Sequence, residues 1–182
     1  MGQYYRPIIK KENDIVSYAN FVNGDYMLAK LMEHSWLYNP FVNGLAAIIY
    51  KNPCKVAWVG DYADATDPEI YKIAWGDEDN EAYARKDLTC DESFTMEHKF
   101  LVNHTSQEYI DIDKYIEKID SEWVPHPLSI LTACGNGQGG GDYFSEIHKD
   151  DVGSWKMNLI SVEDNIDDIP KEYTESVVYF KG

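Results

Sequence analysis

The chain has 182 residues, enough for one globular core and little room for a second. Hydrophobic residues make up 44% and aromatics 14%, more apolar material than a disordered acidic chain carries, and no apolar run reaches the ~18 residues of a membrane-spanning helix. The net charge of −16 argues against direct binding of nucleic acid or anionic membrane and favours a basic protein partner. That charge is unevenly spread: residues 1–60 hold six Lys/Arg against four Asp/Glu, while residues 61–182 hold ten against twenty-eight.

In chain order, Tyr4–Lys10 reads as a short extended segment, placed near a sheet edge by Pro7. Asp25–Leu37 reads as a helix, with Leu28, Leu31, Met32 and Trp36 on one face. Asn39-Pro40 is a helix start, with Phe41, Leu45, Ile48 and Ile49 as its apolar stripe and Asn52-Pro53 as its stop. Lys55–Val59 is apolar and β-prone, a buried central strand. Asp67-Pro68 predicts a second capped helix carrying Ile70, Ile73 and Ala74 inward.

Residues 76–97 are the most polar stretch and read as a loop with a short helix. Phe100–Val102 and Tyr109–Ile112 flank a turn at 104–107 and predict a hairpin. Asp113 would then cap a helix bearing Tyr115, Ile116, Ile119 and Trp123, ended by Pro125-His126-Pro127. Trp155, Met157 and Leu159 alternate with polar residues as in a half-buried strand, and Ser176–Phe180 reads as a last strand. The order lacks regular βαβ alternation and shows no internal repeat. The expectation is therefore a single α+β domain over residues 1–182, with a mixed, mainly antiparallel sheet and several short helices. The N-terminal MGQYYRPIIKKEN has no apolar leader, and Arg6 stands where a myristoylation signal needs Ser or Thr, so a cytoplasmic protein is expected.

The most motif-like segment is LTACGNGQGGGDYF, Leu131–Phe144, which holds five of the twelve glycines. Gly135, Gly137 and Gly140 match the spacing of a dinucleotide loop, in which backbone N–H groups face a pyrophosphate. No helix face follows, however, and no Lys-Ser/Thr completes a Walker loop, so the run reads first as a turn with tight backbone geometry. The alternative is a small-molecule or nucleotide site, or an enzyme, built on Gly135, Gly137, Gly139, Gly140 and Asp142 with His126 and His148 nearby.

Other chemistry is thinly signalled. Cys54, Cys90 and Cys134 are an odd, widely spaced set without a C-x-x-C, which argues against a disulfide framework or zinc ribbon and leaves reduced buried thiols. His98 and His104 could share a strand face, and Asp61 and Asp64 follow the strand at Trp58, but neither pair belongs to a recognisable ligand set. Cys134 and His126 are neighbours in sequence only. No catalytic residue, metal or cofactor is assigned.

Clusters of carboxylates interleaved with tyrosine remain. Asp61, Asp64, Asp67, Asp77, Glu78, Asp79 and Glu81 form the first run, and similar groups recur around Asp111 and Asp164. Spaced carboxylates on a rigid scaffold can compete for lysines and arginines that otherwise hold nucleic acid, and tyrosine supplies contact area at low entropic cost.

Five stretches, GDYMLAKLMEHSW (24–36), CKVAWVGDYAD (54–64), KFLVNHTSQEYIDIDKYI (99–116), LTACGNGQGGGDY and VGSWKMNLISV, resemble a family of type II-A anti-CRISPR proteins. These are small acidic inhibitors of Cas9 carried by phages and mobile elements of gut bacteria. The resemblance implies an anti-defence protein acting in the bacterial host cytoplasm. It would bind guide-RNA-loaded Cas9 stoichiometrically and block target DNA binding or cleavage through protein–protein contact. It assigns no residue to that contact and leaves a homodimer open; the acidic run from Asp61 to Glu81 is the surface that the charge pattern itself singles out.

Overall fold

The computed structural model describes residues 2–12, 14–22, 25–26, 30–76, 84–88 and 93–181. In chain order it contains strands β1 (Tyr5–Lys11), β2 (Asp14–Val22) and β3 (Asp25–Tyr26), helices α1 (Leu31–His34) and α2 (Pro40–Ile48), strand β4 (Cys54–Gly60), helix α3 (Pro68–Trp75) and strands β5 (Ala84–Leu88), β6 (Phe100–Asn103) and β7 (Glu108–Asp111). Helices α4 (Ile112–Glu117) and α5 (Pro127–Leu131) follow, then strands β8 (Ala133–Cys134), β9 (Leu159–Glu163) and β10 (Thr174–Glu175). The strands form one sheet in the order β10-β7-β6-β9-β4-β1-β2-β3, with β5 added to β2 and β8 to β4. Antiparallel pairs predominate among the described strands, whose parallel pairs are β10–β7, β2–β5 and β4–β8. The fold is α+β.

The centre of the sheet is the antiparallel pair β1–β4, in register from Tyr5↔Gly60 to Lys10↔Lys55. Alternation sends Tyr5, Ile9, Val56 and Trp58 to one face, where α2, α4 and α5 complete the main core. Ile8, Ala57 and Val59 go to the other face, under Ile70, Ile73 and Ala74 of α3. Trp58 is fully buried and meets Phe41 of α2 edge to face at 5.7 Å. Burying such a side chain contributes on the order of 2–3 kcal/mol, which makes β4 the spine of both clusters.

Local chemistry explains where elements begin. Asn39 caps α2, its side-chain oxygen accepting from the N–H groups of Phe41 (2.9 Å) and Val42 (3.4 Å), with Pro40 in the first turn. Asp111 caps α4 by accepting from Lys114 N–H at 3.3 Å.

Several sequence expectations are corrected. Pro7 does not mark a sheet edge, because β1 lies between β4 and β2; pairing with β2 starts only at Ile8, so the missing donor of Pro7 faces no ladder. Of the helix expected over Asp25–Leu37, Asp25–Tyr26 is instead β3, hydrogen-bonded to β2, Leu31–His34 is a single helical turn, and residues 27–29 lie outside the described residues. The polar stretch 76–97 contains a strand, β5, whose parallel partner supplies the ladder that its composition does not advertise; its expected helix falls partly on 77–83 and 89–92, outside the described residues.

Asp67 precedes α3 without capping it, since its carboxylate pairs with Lys156 instead. Asp111, not Asp113, caps α4, which stops at Glu117 before Ile119 and Trp123. His126-Pro127 does not end that helix but starts α5. Residues 155–157 are turns, and β9 begins at Leu159; of the described residues near the C-terminus, Thr174–Glu175 is the strand, and 176–180 is not.

Candidate functional site

The glycine run follows α5 and β8, which bring its start beside the central pair: β8 adds parallel to β4 through Trp58↔Ala133 and Val59↔Cys134. Gly135, Gly137 and Gly141 all have positive φ, at 80°, 92° and 89°, a left-handed backbone that glycine adopts without penalty. That winding turns three successive N–H groups inward. Gly137, Gln138 and Gly139 donate to one carboxylate oxygen of Asp142 at 2.7, 2.8 and 2.9 Å. The Tyr5 hydroxyl donates to the other oxygen at 2.7 Å. The loop is therefore an anion nest of the kind that cradles phosphate, but its anion is a side chain of the same chain, and Asp142 is fully buried.

The N-terminal residues seal the arrangement. Gln3 N–H donates to Gly140 O at 2.7 Å, and its side-chain amide donates to Gly135 O at 3.0 Å. A Cβ at Gly139 would stand 2.7 Å from Gln3 Cβ, so this glycine is required by close approach. Asn136 clamps Tyr143, accepting from its N–H at 2.8 Å and donating to its carbonyl at 3.1 Å. Asp142 and burial push the Tyr5 hydroxyl far above its usual range, so it remains a donor. All five residues of the alternative ligand loop thus come together, around Asp142 rather than around an open anion position.

The neighbouring titratable groups have separate roles. His126 is fully buried as the N-cap of α5, Nδ1 accepting from Leu128 N–H at 3.1 Å. Burial lowers its pKa to about 3, and its Nε2 has no hydrogen-bond partner among the described residues. His148 pairs with Asp151 at 2.8 Å and meets the Tyr179 ring at 5.0 Å. Cys134 is buried, and desolvation pushes its thiol up to about 12, so it supplies no thiolate at neutral pH. Cys54 is also a buried free thiol, whereas Cys90 lies outside the described residues. His98 bonds Asp113, and His104 bonds Ser161, so each histidine has its own partner.

The acidic run divides sharply. Asp61 is half-buried in the turn after β4, accepts from Tyr4 N–H at 3.1 Å, and is shifted upward mainly by desolvation. Asp67 is neutralised by Lys156 at 2.7 Å with its side chain 15% exposed. Asp64 is exposed, as is Glu69 on α3, a residue outside the seven chosen from the sequence. Asp77, Glu78, Asp79 and Glu81 lie outside the described residues. Around Asp164 the carboxylate is held by Lys51, Lys99 and the Tyr50 hydroxyl, well below the usual range, while Asp167 and Asp168 are exposed.

Which carboxylates are internal and which face solvent follows from pairings across 60 or more residues, such as Lys99–Asp164, and spacing along the chain does not encode them. The Asp142 nest did leave a signal: an aspartate closing a glycine-rich run, three to five residues after the Gly137-Gln138-Gly139 segment whose N–H groups turn toward it. Among groups of His, Cys, Asp and Glu on the described residues, none of three or more is arranged to hold a metal ion. Comparison with known proteins finds no matching family model, no matching curated protein and no matching solved structure.

Proposed function

We propose that the chain is a stoichiometric, non-catalytic inhibitor that binds guide-loaded Cas9 through its acidic surface and prevents target DNA from being bound or cut. The observation that carries this reading is the excess of carboxylates: with 28 Asp/Glu against ten Lys/Arg in residues 61–182, acids such as Asp64, Glu69, Asp167 and Asp168 stand exposed on a fixed α+β scaffold. Such a surface is complementary to a channel lined with Lys and Arg, and long-range attraction raises the association rate while salt lowers it. The internal filling of the glycine nest supports the same reading, because the loop's three donors are already used by Asp142.

The test is target cleavage by guide-loaded Cas9 with the purified protein titrated in at 50 and 300 mM salt. Inhibition is expected to saturate near one equivalent and weaken with salt. Replacing Asp64 and Glu69 by Lys is expected to weaken it by roughly tenfold, the scale set by reversing exposed charges at an interface. Inhibition absent across several Cas9 orthologues would end this assignment, and unchanged potency in the double variant would move the interface elsewhere.

A further inference from the structure

The exposed lysines of this acidic protein are not all alike. Lys30, Lys51, Lys99, Lys114, Lys149 and Lys156 each reach a carboxylate. Lys10, Lys11 and Lys55 form no ion pair among the described residues, and they converge on one open groove of about 400 Å³ that Glu12, Pro53 and Leu159 complete. The central pair places Lys10 directly opposite Lys55 across the β1–β4 ladder. Like charges at such a position stand ~5 Å apart at Cβ and destabilise the sheet.

Register determines the rest of the groove. Lys10 and Lys55 continue the face that carries Ile8 and Ala57, beyond the part covered by α3. Leu159 of β9 lies opposite Lys55 on its other side, and Leu159 is 37% exposed. Lys11, the last residue of β1, borders the end of the groove and donates to the Asn52 side-chain oxygen, a neutral partner that leaves its charge uncompensated. The arrangement is thus two adjacent ammonium groups, a third at the end, and apolar surface from Leu159 and Pro53 beside them. Glu12 is the one carboxylate lining the groove.

We propose that this groove binds a phosphate monoester carried on a small organic molecule. Lys10 and Lys55 take the phosphoryl oxygens, and Leu159 with Pro53 receives the organic part. A doubly charged oxyanion between two opposed ammonium groups removes the cross-strand repulsion, and a compact ammonium suits phosphate as a point charge. The site is separate from the acidic surface, so its failure leaves the Cas9 reading untouched.

The test follows backbone amide shifts of β1 and β4 by NMR at low ionic strength, titrating inorganic phosphate, adenosine 5′-monophosphate and a short oligothymidylate. Shifts at Lys10 and Lys55 are expected with both the monophosphate and free phosphate, stronger with the nucleotide. Lys55→Glu and Lys10→Gln are expected to weaken binding about tenfold, while Lys72→Glu, a change of the same charge on α3, leaves it unchanged. Lys55→Glu also creates a cross-strand ion pair with Lys10, so its Tm without ligand is expected to equal or exceed that of the parent chain. Absent shifts, equal loss in Lys72→Glu, tighter binding of the oligonucleotide than of the monophosphate, or a lower Tm in Lys55→Glu would each overturn the proposal.

Discussion

Asp142 shows how a single residue can reverse the meaning of a motif. Its carboxylate collects three backbone N–H groups and one phenol, so removing it orphans four donors at once. Asp142→Ala is expected to cost about 2–4 kcal/mol, the scale of losing charge-assisted bonds in a buried setting, and chemical denaturation at pH 7 measures it. Asp142→Asn keeps one acceptor oxygen and is expected to fall between the two. If the alanine variant is as stable as the parent chain, the nest contributes nothing to folding. The glycine spacing was legible in the sequence as a tight turn, with an anion loop as the alternative; that Asp142 fills it was not. The occupant's fourth bond comes from Tyr5, 137 positions away, and no local pattern reports such a contact.

At the scale of elements, helix starts were the most readable signals; capping carboxylates misled where a tertiary partner took them, and Pro127 read as a stop where it is a start. Asn39 caps α2 as its sequence suggests, whereas Asp67 is drawn to Lys156 and Asp113 to His98. The strand β5 escaped notice because its pairing with β2, and not its own composition, makes it a strand.

Helix α5 begins at a histidine whose neutral form is required, and this sets a pH dependence. The folded pKa of His126 is about 3, below the ordinary value of 6.5. Below pH 6.5 the unfolded chain takes up a proton that the folded chain refuses, so this contribution is present above 6.5 and is lost as pH falls toward 3. The slope is at most about 1.4 kcal/mol per pH unit. His126→Asn retains a capping side chain and cannot titrate there. The stability difference between variant and parent, followed by thermal melts from pH 7 to 4.5, is expected to shift in favour of the variant as pH falls. A difference independent of pH would show that His126 is protonated in the folded state.

For the whole molecule the dominant quantity is charge. A chain of −16 repels itself when compact, and added salt screens that repulsion over a Debye length of about 10 Å at 0.1 M. The Tm is therefore expected to rise from 20 to 300 mM NaCl, while the proposed inhibition of Cas9 is expected to fall over the same range. A Tm that falls with salt would mean that the ion pairs around Asp164, Asp67 and Glu175 outweigh the net repulsion. Total charge could be read from the sequence directly. Its division into internal and exposed carboxylates could not, because that depends on which lysine the fold brings to each acid.

The position of β1 at the middle of the sheet has a consequence for the order of events during synthesis. Tyr5 is made 137 residues before Asp142, and its hydroxyl finds its acceptor only when Asp142 emerges. At 5–20 residues per second that is a wait of roughly 7 to 27 s. Until then the nascent chain carries a central strand whose neighbour β4 is available but whose loop closure at Gly135 and Gly140 is not yet written. The contacts that fix Gln3 and Tyr5 therefore come from residues 135–142, and a fragment that stops before residue 135 lacks them.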